Sequence, residues 1–312
     1  MKKCRCGKRA VIFRKHEGRA LCKYHFMESI EQKMKKTIGK NKMIKPGDKI
    51  AVALTGGKDS AVVLYILNKI IKPRRDIELF AITVDEGIGG YSKPALKKSA
   101  ALSKKFGIRQ HVFSFKKDFG TGMDTKVRTI KKHKSGLKEP YTYCAVGRRY
   151  ILNKEARKLR ATKIATGHNL DDEAQGVLMN YIRGDMFRAA RMGPVTDWSL
   201  TKKKGSLFVP RIRPIREIPG NEVSLYIRLK GLDVFKGERP LPGGIREGVE
   251  KFLNRLEKKY AGIEFSILHT FDKILPSIRK GVKGTEGEIR ICKKCGEPGS
   301  GEICEACELW RS

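Results

Sequence analysis

The run Ala51-Val52-Ala53-Leu54-Thr55-Gly56-Gly57-Lys58-Asp59-Ser60 constrains this chain most, because it joins an apolar strand to a helix through a glycine turn. Adjacent glycines let the backbone approach an anion closely, and the amides that open the helix point toward it. Thr55 and Ser60 add hydroxyl donors and Lys58 adds a cation, so the loop reads as a phosphate cradle. Its spacing is not the G-x-x-x-x-G-K-[ST] of a Walker A loop, which argues against the usual kinase and GTPase architecture. ATP is the expected first substrate.

The charge of the chain points to a class of partner. Lys and Arg number 68 against 33 Asp and Glu in 312 residues, a formal net charge of +35. Cations spread along the whole length favour a polyanion, because neutralising phosphates releases counterions, and nucleic acid is the expected partner. A generally basic surface of a lysine-rich proteome is the alternative. No run approaches the ~18 apolar residues of a membrane span, and the N-terminus has no apolar signal core. A cytoplasmic protein without membrane contact is therefore expected. In that reducing setting, eight cysteines point to metal sites or sulfur chemistry rather than disulfides.

Seven of the eight cysteines fall in the first 22 or last 21 residues, which divides the chain into three parts. Residues 1–28 form an N-terminal zinc-binding module in which Cys4, Cys6, Cys22 and His25 supply a tetrahedral set, with His16 as an alternative ligand. Residues 286–312 form a C-terminal one, where Cys292, Cys295, Cys304 and Cys307 make two C-x-x-C knuckles eight residues apart. Structural zinc offsets the entropy of ordering modules too short to own a core. Residues 29–285 hold the central domain.

That domain reads as α/β with a parallel sheet. Strands are expected near 49–54, 77–84, 110–115 and 163–167, alternating with helices near 60–71, 95–106, 144–159 and 171–183. The Thr55 loop, the turn after Thr83-Val84 and the turn Thr166-Gly167-His168 all fall at carboxyl ends of strands, where one cleft gathers them. Between Lys116 and Pro140, lysines with Gly120, Gly122 and Gly136 mark either a mobile active-site flap or RNA-facing insertion, or a solvated basic loop. The segment Pro210–Arg216 is expected to be ordered and extended, and two further helices near 246–260 and 263–278 lead to the C-terminal knuckles.

With the Thr55–Ser60 loop, Thr166-Gly167-His168-Asn169-Leu170-Asp171-Asp172-Glu173-Ala174-Gln175, Pro214-Ile215-Arg216-Glu217 and both cysteine modules in this order, nearly the whole chain resembles TtuA-type tRNA 2-thiolation enzymes. The glycine loop alone indicates only the wider ATP-pyrophosphatase superfamily; the cysteine modules narrow it. The resemblance implies a Rossmann-like PP-loop domain that adenylates the target uridine oxygen, so that a sulfur nucleophile replaces it and AMP leaves. ATP is needed because the uracil C2 oxygen leaves poorly until it is a phosphate ester. By resemblance, Ala53, Leu54, Thr55, Gly56, Gly57, Lys58 and Ser60 hold ATP. Thr83 and Val84 meet adenine through their backbone, Gly167 lines the pocket, and Mg2+ bridges the phosphates. Asp59 and Asp172 are candidates for metal or proton handling, although an aspartate of the Asp171-Asp172 pair is equally a helix N-cap. Arg148 is placed to meet ATP phosphates, unless it is stacked or solvated. A tRNA substrate, a ubiquitin-like sulfur carrier and a homodimer are implied as well.

One departure stands out. The family has C-x-x-C before the Arg-Arg pair and a third cysteine in a later Glu-Cys-Pro segment, together binding a [4Fe–4S] cluster. Here Tyr141 takes the first position, Cys144 remains, and Glu238-Arg239-Pro240 puts an arginine at the third. A phenol and a guanidinium do not replace thiolates, so no intact cluster is expected. Cys144 is either a persulfide relay, with its thiol pKa lowered by Arg148, Arg149 and a helix N-terminus, or an inert buried thiol. Three functions follow: uridine 2-thiolation, adenylation for a non-sulfur nucleophile, and tRNA binding without catalysis. The intact Gly56, Gly57, Asp59, Ser60 and Asp172 argue against the last.

Overall fold

The computed structural model describes residues 2–132, 138–196, 207–237, 239–241, 244–283 and 289–311. The chain opens with a hairpin of β1 (Ile12–Arg14) and β2 (Arg19–Leu21), followed by helix α1 (Lys23–Lys40). The central unit then runs β3 (Lys49–Ala53), α2 (Lys58–Ile71), β4 (Glu78–Asp85), α3 (Ser92–Phe106), β5 (Gln110–Ser114), α4 (Phe115–Phe119) and α5 (Met123–Lys132). It continues through α6 (Pro140–Lys158), β6 (Lys163–Ala165), α7 (Leu170–Ile182), α8 (Met186–Ala190), β7 (Arg211–Ile212) and α9 (Gly220–Lys230). Helices α10 (Ile245–Lys259) and α11 (Ile263–Val282) lead to a second hairpin, β8 (Arg290–Ile291) and β9 (Pro298–Gly299), and to α12 (Glu305–Trp310).

The main sheet is parallel throughout, in the order β5-β4-β3-β6-β7. A parallel strand covered on both faces needs a continuous apolar run, and Ile50, Ala51 and Val52 of β3 are all fully buried. Alternation assigns the faces. Ile50, Val52 and Ala81 enter one core with residues of α1, α2 and α9. Ala51, Phe80 and Ile82 enter another with Leu152 and Ala156 of α6. Because β3 leads directly into the glycine loop, its burial on both sides fixes where that loop stands.

The expected strands and helices of the central unit are present, with ends shifted by a few residues. Helices α1 and α9 were not expected: α1 contributes Phe26, Ile30 and Met34 to the core, one apolar residue per turn between lysines. The Lys116–Pro140 segment also differs from a flap or a loop, as it contains most of α4 and all of α5; Gly136 lies outside the described residues. Gly120 ends α4 in the left-handed region, and Gly122 serves close approach. A Cβ on Gly87 would lie 2.8 Å from the Gly122 Cα, and the Met123 amide donates to the Glu86 carbonyl (2.8 Å).

Two buried arginines tie the periphery to this frame. Arg216, from the Pro214-Ile215-Arg216-Glu217 motif, reaches Glu173 of α7 (3.2 Å) and both oxygens of Asp272 on α11 (2.6 and 2.8 Å). It thus clamps the C-terminal helices and takes no place in the cleft. Arg14 of the N-terminal hairpin forks onto Glu222 of α9 (2.9 and 2.7 Å) and donates to Ser29 of α1 (2.8 Å).

Removing one partner of such a pair strands a buried charge. Glu222→Gln should therefore cost about 3–5 kcal/mol in a urea unfolding curve. Arg14→Met combined with Glu222→Leu should cost clearly less, because neither variant residue leaves a charge behind.

Candidate nucleotide and metal sites

The loop between β3 and α2 is held by backbone packed on backbone. Gly56 has φ +81°, and a Cβ there would sit 2.2 Å from the Ala95 carbonyl oxygen of α3. A Cβ on Gly167, in the turn after β6, would lie 2.8 Å from the Ser60 nitrogen. On the open side, the first amides of α2, those of Lys58, Asp59 and Ser60, have no intrahelical carbonyl to bond. They supply the positive end of the helix to an anion.

Hydroxyl groups shape the loop. Ser60 Oγ accepts from the Thr55 amide (3.1 Å) and donates to the Gly57 carbonyl (3.1 Å), with Thr55 Oγ1 3.0 Å away. Thr83 Oγ1 donates to the Leu54 carbonyl (2.8 Å) and accepts from Gln110 (2.7 Å), which aligns β3 with β4. Beside them opens a narrow cleft, lined in part by Ala53, Leu54, Thr83, Val84, Tyr91 and Leu152. Its mostly apolar wall suits a base. The Phe235 amide donates to the Gly56 carbonyl (2.9 Å), so the strap after α9 closes the loop from outside.

The carboxylates come together as expected but are already engaged. Lys58 pairs with Asp59 (2.8 Å), and Asn169 Nδ2 also donates to Asp59 (3.0 Å). The N-cap of α7 is Asn169 rather than either aspartate; Asp172 completes a capping box with it and pairs with Arg246 (2.7 Å). Asp171 accepts from the Gly220 amide (2.9 Å). Behind it, burial and the neighbouring Asp171 carboxylate push the Glu264 carboxyl up to about 8.

At the far end of the cleft lies a group that the sequence did not announce. Glu86, at the end of β4, accepts from Arg148 (3.0 Å) and from Arg239 (2.8 and 3.0 Å), and Tyr91 OH also accepts from Arg239 (3.4 Å). Glu86 is only 3 % exposed, so these guanidiniums balance a buried charge. The only sequence signal was a carboxylate directly after a buried strand, on the edge where ligands bind. Arg148 therefore lines the cleft with its guanidinium committed to Glu86. Cys144, 1 % exposed, lies against the same group; burial and the Glu86 charge push its thiol up to about 12. The lowered pKa expected from Arg148, Arg149 and a helix N-terminus is not what this environment produces. Its neighbours at the other two positions of interest, Tyr141 and Arg239, offer a phenol and an ion-paired guanidinium.

Both cysteine-rich sets are assembled. In each of Cys4, Cys6, Cys22, His25 and Cys292, Cys295, Cys304, Cys307, the ligand atoms lie within 4.8 Å of one another, so each set can hold a metal ion. Backbone amides of Cys6 and Cys22 pull the Cys4 thiol down to about 6. His16 is not part of the first set; it packs against Phe265 (4.6 Å between ring centroids). Trp310 anchors the C-terminal set, stacking on Phe119 (4.7 Å) and donating to the Tyr143 carbonyl of α6 (3.1 Å).

A parallel sheet with a glycine loop opening its first crossover helix, beside a mostly apolar cleft, defines an ATP-pyrophosphatase-type nucleotide-binding protein. Comparison with known proteins agrees and narrows the class. A family model described as a PP-loop domain matches residues 26–238. A probable sulfurtransferase of Methanocaldococcus jannaschii is 34% identical over 97% of this chain and 86% of its own length. The tRNA 2-thiolation protein NcsA of Haloferax volcanii is 32% identical over 99% of this chain and 98% of its own. The solved structure of U34-tRNA thiolase NcsA from Methanococcus maripaludis, with its [4Fe-4S] cluster, is 33% identical and superposes with a TM-score of 0.81 over 100% of this chain and 96% of that one. The chain belongs to the PP-loop family of tRNA 2-thiolation proteins.

The two loop glycines should part company on substitution. Gly56→Ala meets Ala95 and forces a left-handed alanine, about 1–3 kcal/mol for overpacking and about 1–2 kcal/mol for the conformation. It should lower the thermal midpoint and weaken ATP binding. At Gly57 a Cβ finds only Thr55 Oγ1, at 3.6 Å. Gly57→Ala should keep wild-type stability and raise the ATP dissociation constant at least tenfold in calorimetry, because its methyl stands where phosphate approaches.

Proposed function

We propose that this protein uses ATP to adenylate a uridine of tRNA for 2-thiolation. The observation that carries the reading is the set of unpaired α2 amides behind Gly56, next to a mostly apolar cleft, in a chain of this family. The uracil C2 oxygen attacks the α-phosphorus of ATP and pyrophosphate leaves. A sulfur nucleophile then adds at C2, the C–O bond breaks, and AMP departs with that oxygen. The chain's part is to hold the phosphates on the loop amides and the adenine against Leu54, Thr83 and Val84, and to keep water from the activated carbon. Asp59 and Asp172, both partly exposed beside the loop, would hold Mg2+, which neutralises phosphate charge when bound.

The sulfur route is the part most particular to this chain. Tyr141, Cys144 and Arg239 do not fit a [4Fe–4S] cluster, which needs at least three thiolates on one face. One thiol is present, and Arg239 is committed to Glu86. Cys144 lacks thiolate character where it stands, so its role as a relay recedes and the nucleophile comes from outside the chain. The C-terminal thiocarboxylate of a ubiquitin-like carrier has the required chemistry: its sulfur adds at C2 as AMP departs, and water then cleaves the acyl–sulfur bond to leave 2-thiouridine and the carrier's carboxylate. A cytoplasmic homodimer completes the proposal.

For both cysteine sets we propose Zn2+. Zinc–sulfur bonds of about 2.3 Å give tetrahedral sulfur–sulfur edges of about 3.8 Å. Cys6 and Cys22 are 3.7 Å apart, and Cys295 and Cys304 are 3.6 Å apart.

Two measurements test these statements. Purified protein with ATP, tRNA and a thiocarboxylate-ended carrier should form AMP and 2-thiouridine, read by nucleoside mass spectrometry, and Cys144→Ser should retain most of that activity. AMP formed with a sulfur-free product would instead favour a different nucleophile, and no tRNA-dependent AMP would leave binding alone. Elemental analysis should find two zinc ions per chain. Their removal by chelator should red-shift the emission of the buried Trp310, isolated in a Trp198→Phe background; stoichiometric iron in these sites would contradict the assignment.

A further inference from the structure

On the side of the loop away from the adenine cleft, the chain gathers several cations, with the Glu305 carboxylate acting on Arg149 from beyond ion-pair distance. Arg211 stands on β7, in register with Ile164 of β6, and Arg213 follows it. Arg149 projects from α6, and Arg211 Nη2 reaches its carbonyl oxygen (3.5 Å). His168, in the turn after β6, hydrogen-bonds Thr166 Oγ1 (2.8 Å) through Nδ1. Several neighbouring cations are balanced: Arg148 by Glu86, Arg213 by Glu173 (3.2 Å) and Arg246 by Asp172. Among the described residues, Arg149 and Arg211 have no carboxylate within ion-pair distance.

The electrostatic consequences agree. Burial together with the charges of Arg149, Arg213 and Arg148 brings the Arg211 guanidinium down to about 9. His168 is pushed well below its ordinary value by burial and by Arg213, Arg246, Arg211 and Arg148. Holding like charges together in this way is unfavourable in the free protein unless an anion joins them. A guanidinium presents a planar fork that matches phosphate oxygens.

We propose that Arg149 and Arg211 form a phosphate clamp for the RNA backbone beside the target base. The inference rests on the tRNA reading above and adds where the strand is gripped. Position separates this site from the ATP phosphates. The adenine cleft lies over β4 and β3, the loop amides stand at the end of β3, and β7 is two strands further on, about 10 Å at ordinary strand spacing. A base held at the loop by a backbone crossing β6 and β7 would bring its flanking phosphate to these two arginines.

The test is tRNA binding across a salt series with Arg149→Gln/Arg211→Gln and Arg149→Lys/Arg211→Lys, alongside ATP binding by calorimetry. The Gln pair should raise the tRNA dissociation constant about tenfold or more at ~0.1 M salt and reduce the log–log salt slope by roughly 1.5–2, with the ATP constant within about twofold of wild type. The Lys pair should recover most of the slope, which a purely structural role would not do. If the Gln pair unfolds, Arg149→Gln alone, at an exposed position, should still lower the slope by about one-half of that amount. Unchanged tRNA binding in variants of a wild type that binds tRNA overturns the clamp alone. ATP weakened as much as tRNA overturns it in favour of a pyrophosphate site. A wild type that binds no tRNA overturns both the clamp and the tRNA reading.

Discussion

Backbone meeting backbone at Gly56 and Gly167 is the constraint on which the rest of the site depends. The loop after β3 touches the Ala95 carbonyl of α3 on one side, and the turn after β6 touches the start of α2 on the other. Neither contact leaves room for a side chain, so the α2 amides are set in position before any ligand arrives. Pre-set dipoles need no reorganisation when charge develops on phosphate, which is where electrostatic catalysis gains most. Ser60 and Thr83 extend this logic: their hydroxyls are spent on holding the loop and aligning β3 with β4. The amides are left to face the anion.

The second constraint is charge balance at Glu86. A carboxylate buried at the end of a strand demands partners, and Arg148 and Arg239 supply them from α6 and from the strap beyond α9. Two guanidiniums against one carboxylate leave a net positive charge at the rim of the cleft. The thiol of Cys144 nonetheless stays protonated, because desolvation and the nearby carboxylate outweigh the more distant benefit of those cations. Arg239 therefore fills this space with an ion pair that is costly to dismantle.

How much of this was legible depended on sequence distance. The glycine loop, the cysteine pairs and the alternation of strands and helices are local patterns, and each was readable. The capping box Asn169-x-x-Asp172 was also local, yet the adjacent aspartates drew attention from the asparagine that caps the helix. Helix α1 hid behind its lysines, although Phe26, Ile30 and Met34 recur every four residues. The glycines near residue 120 looked like hinges because a sequence does not say whether φ freedom or missing bulk is being used. No pattern announced Glu86 with Arg239, 153 residues apart, or Arg14 with Glu222, 208 apart; such pairs exist only once the sheet has formed.

The C-terminal metal module gains its importance through α6. Trp310 packs against Phe115 and donates to Tyr143, and a Cβ on Gly147 would come within 3.0 Å of both Phe115 and the Trp310 indole. The helix is thus registered by the module at the residue immediately before Arg148 and Arg149. A shift of the knuckles would move both arginines, one facing Glu86 and the other facing the basic side. The proposed Zn2+ would suit that task, since a closed tetrahedral site of a redox-inert ion keeps its geometry. With Zn2+ bound as proposed, the terminal cysteines would serve position, and the chemistry would belong to the loop at the end of β3.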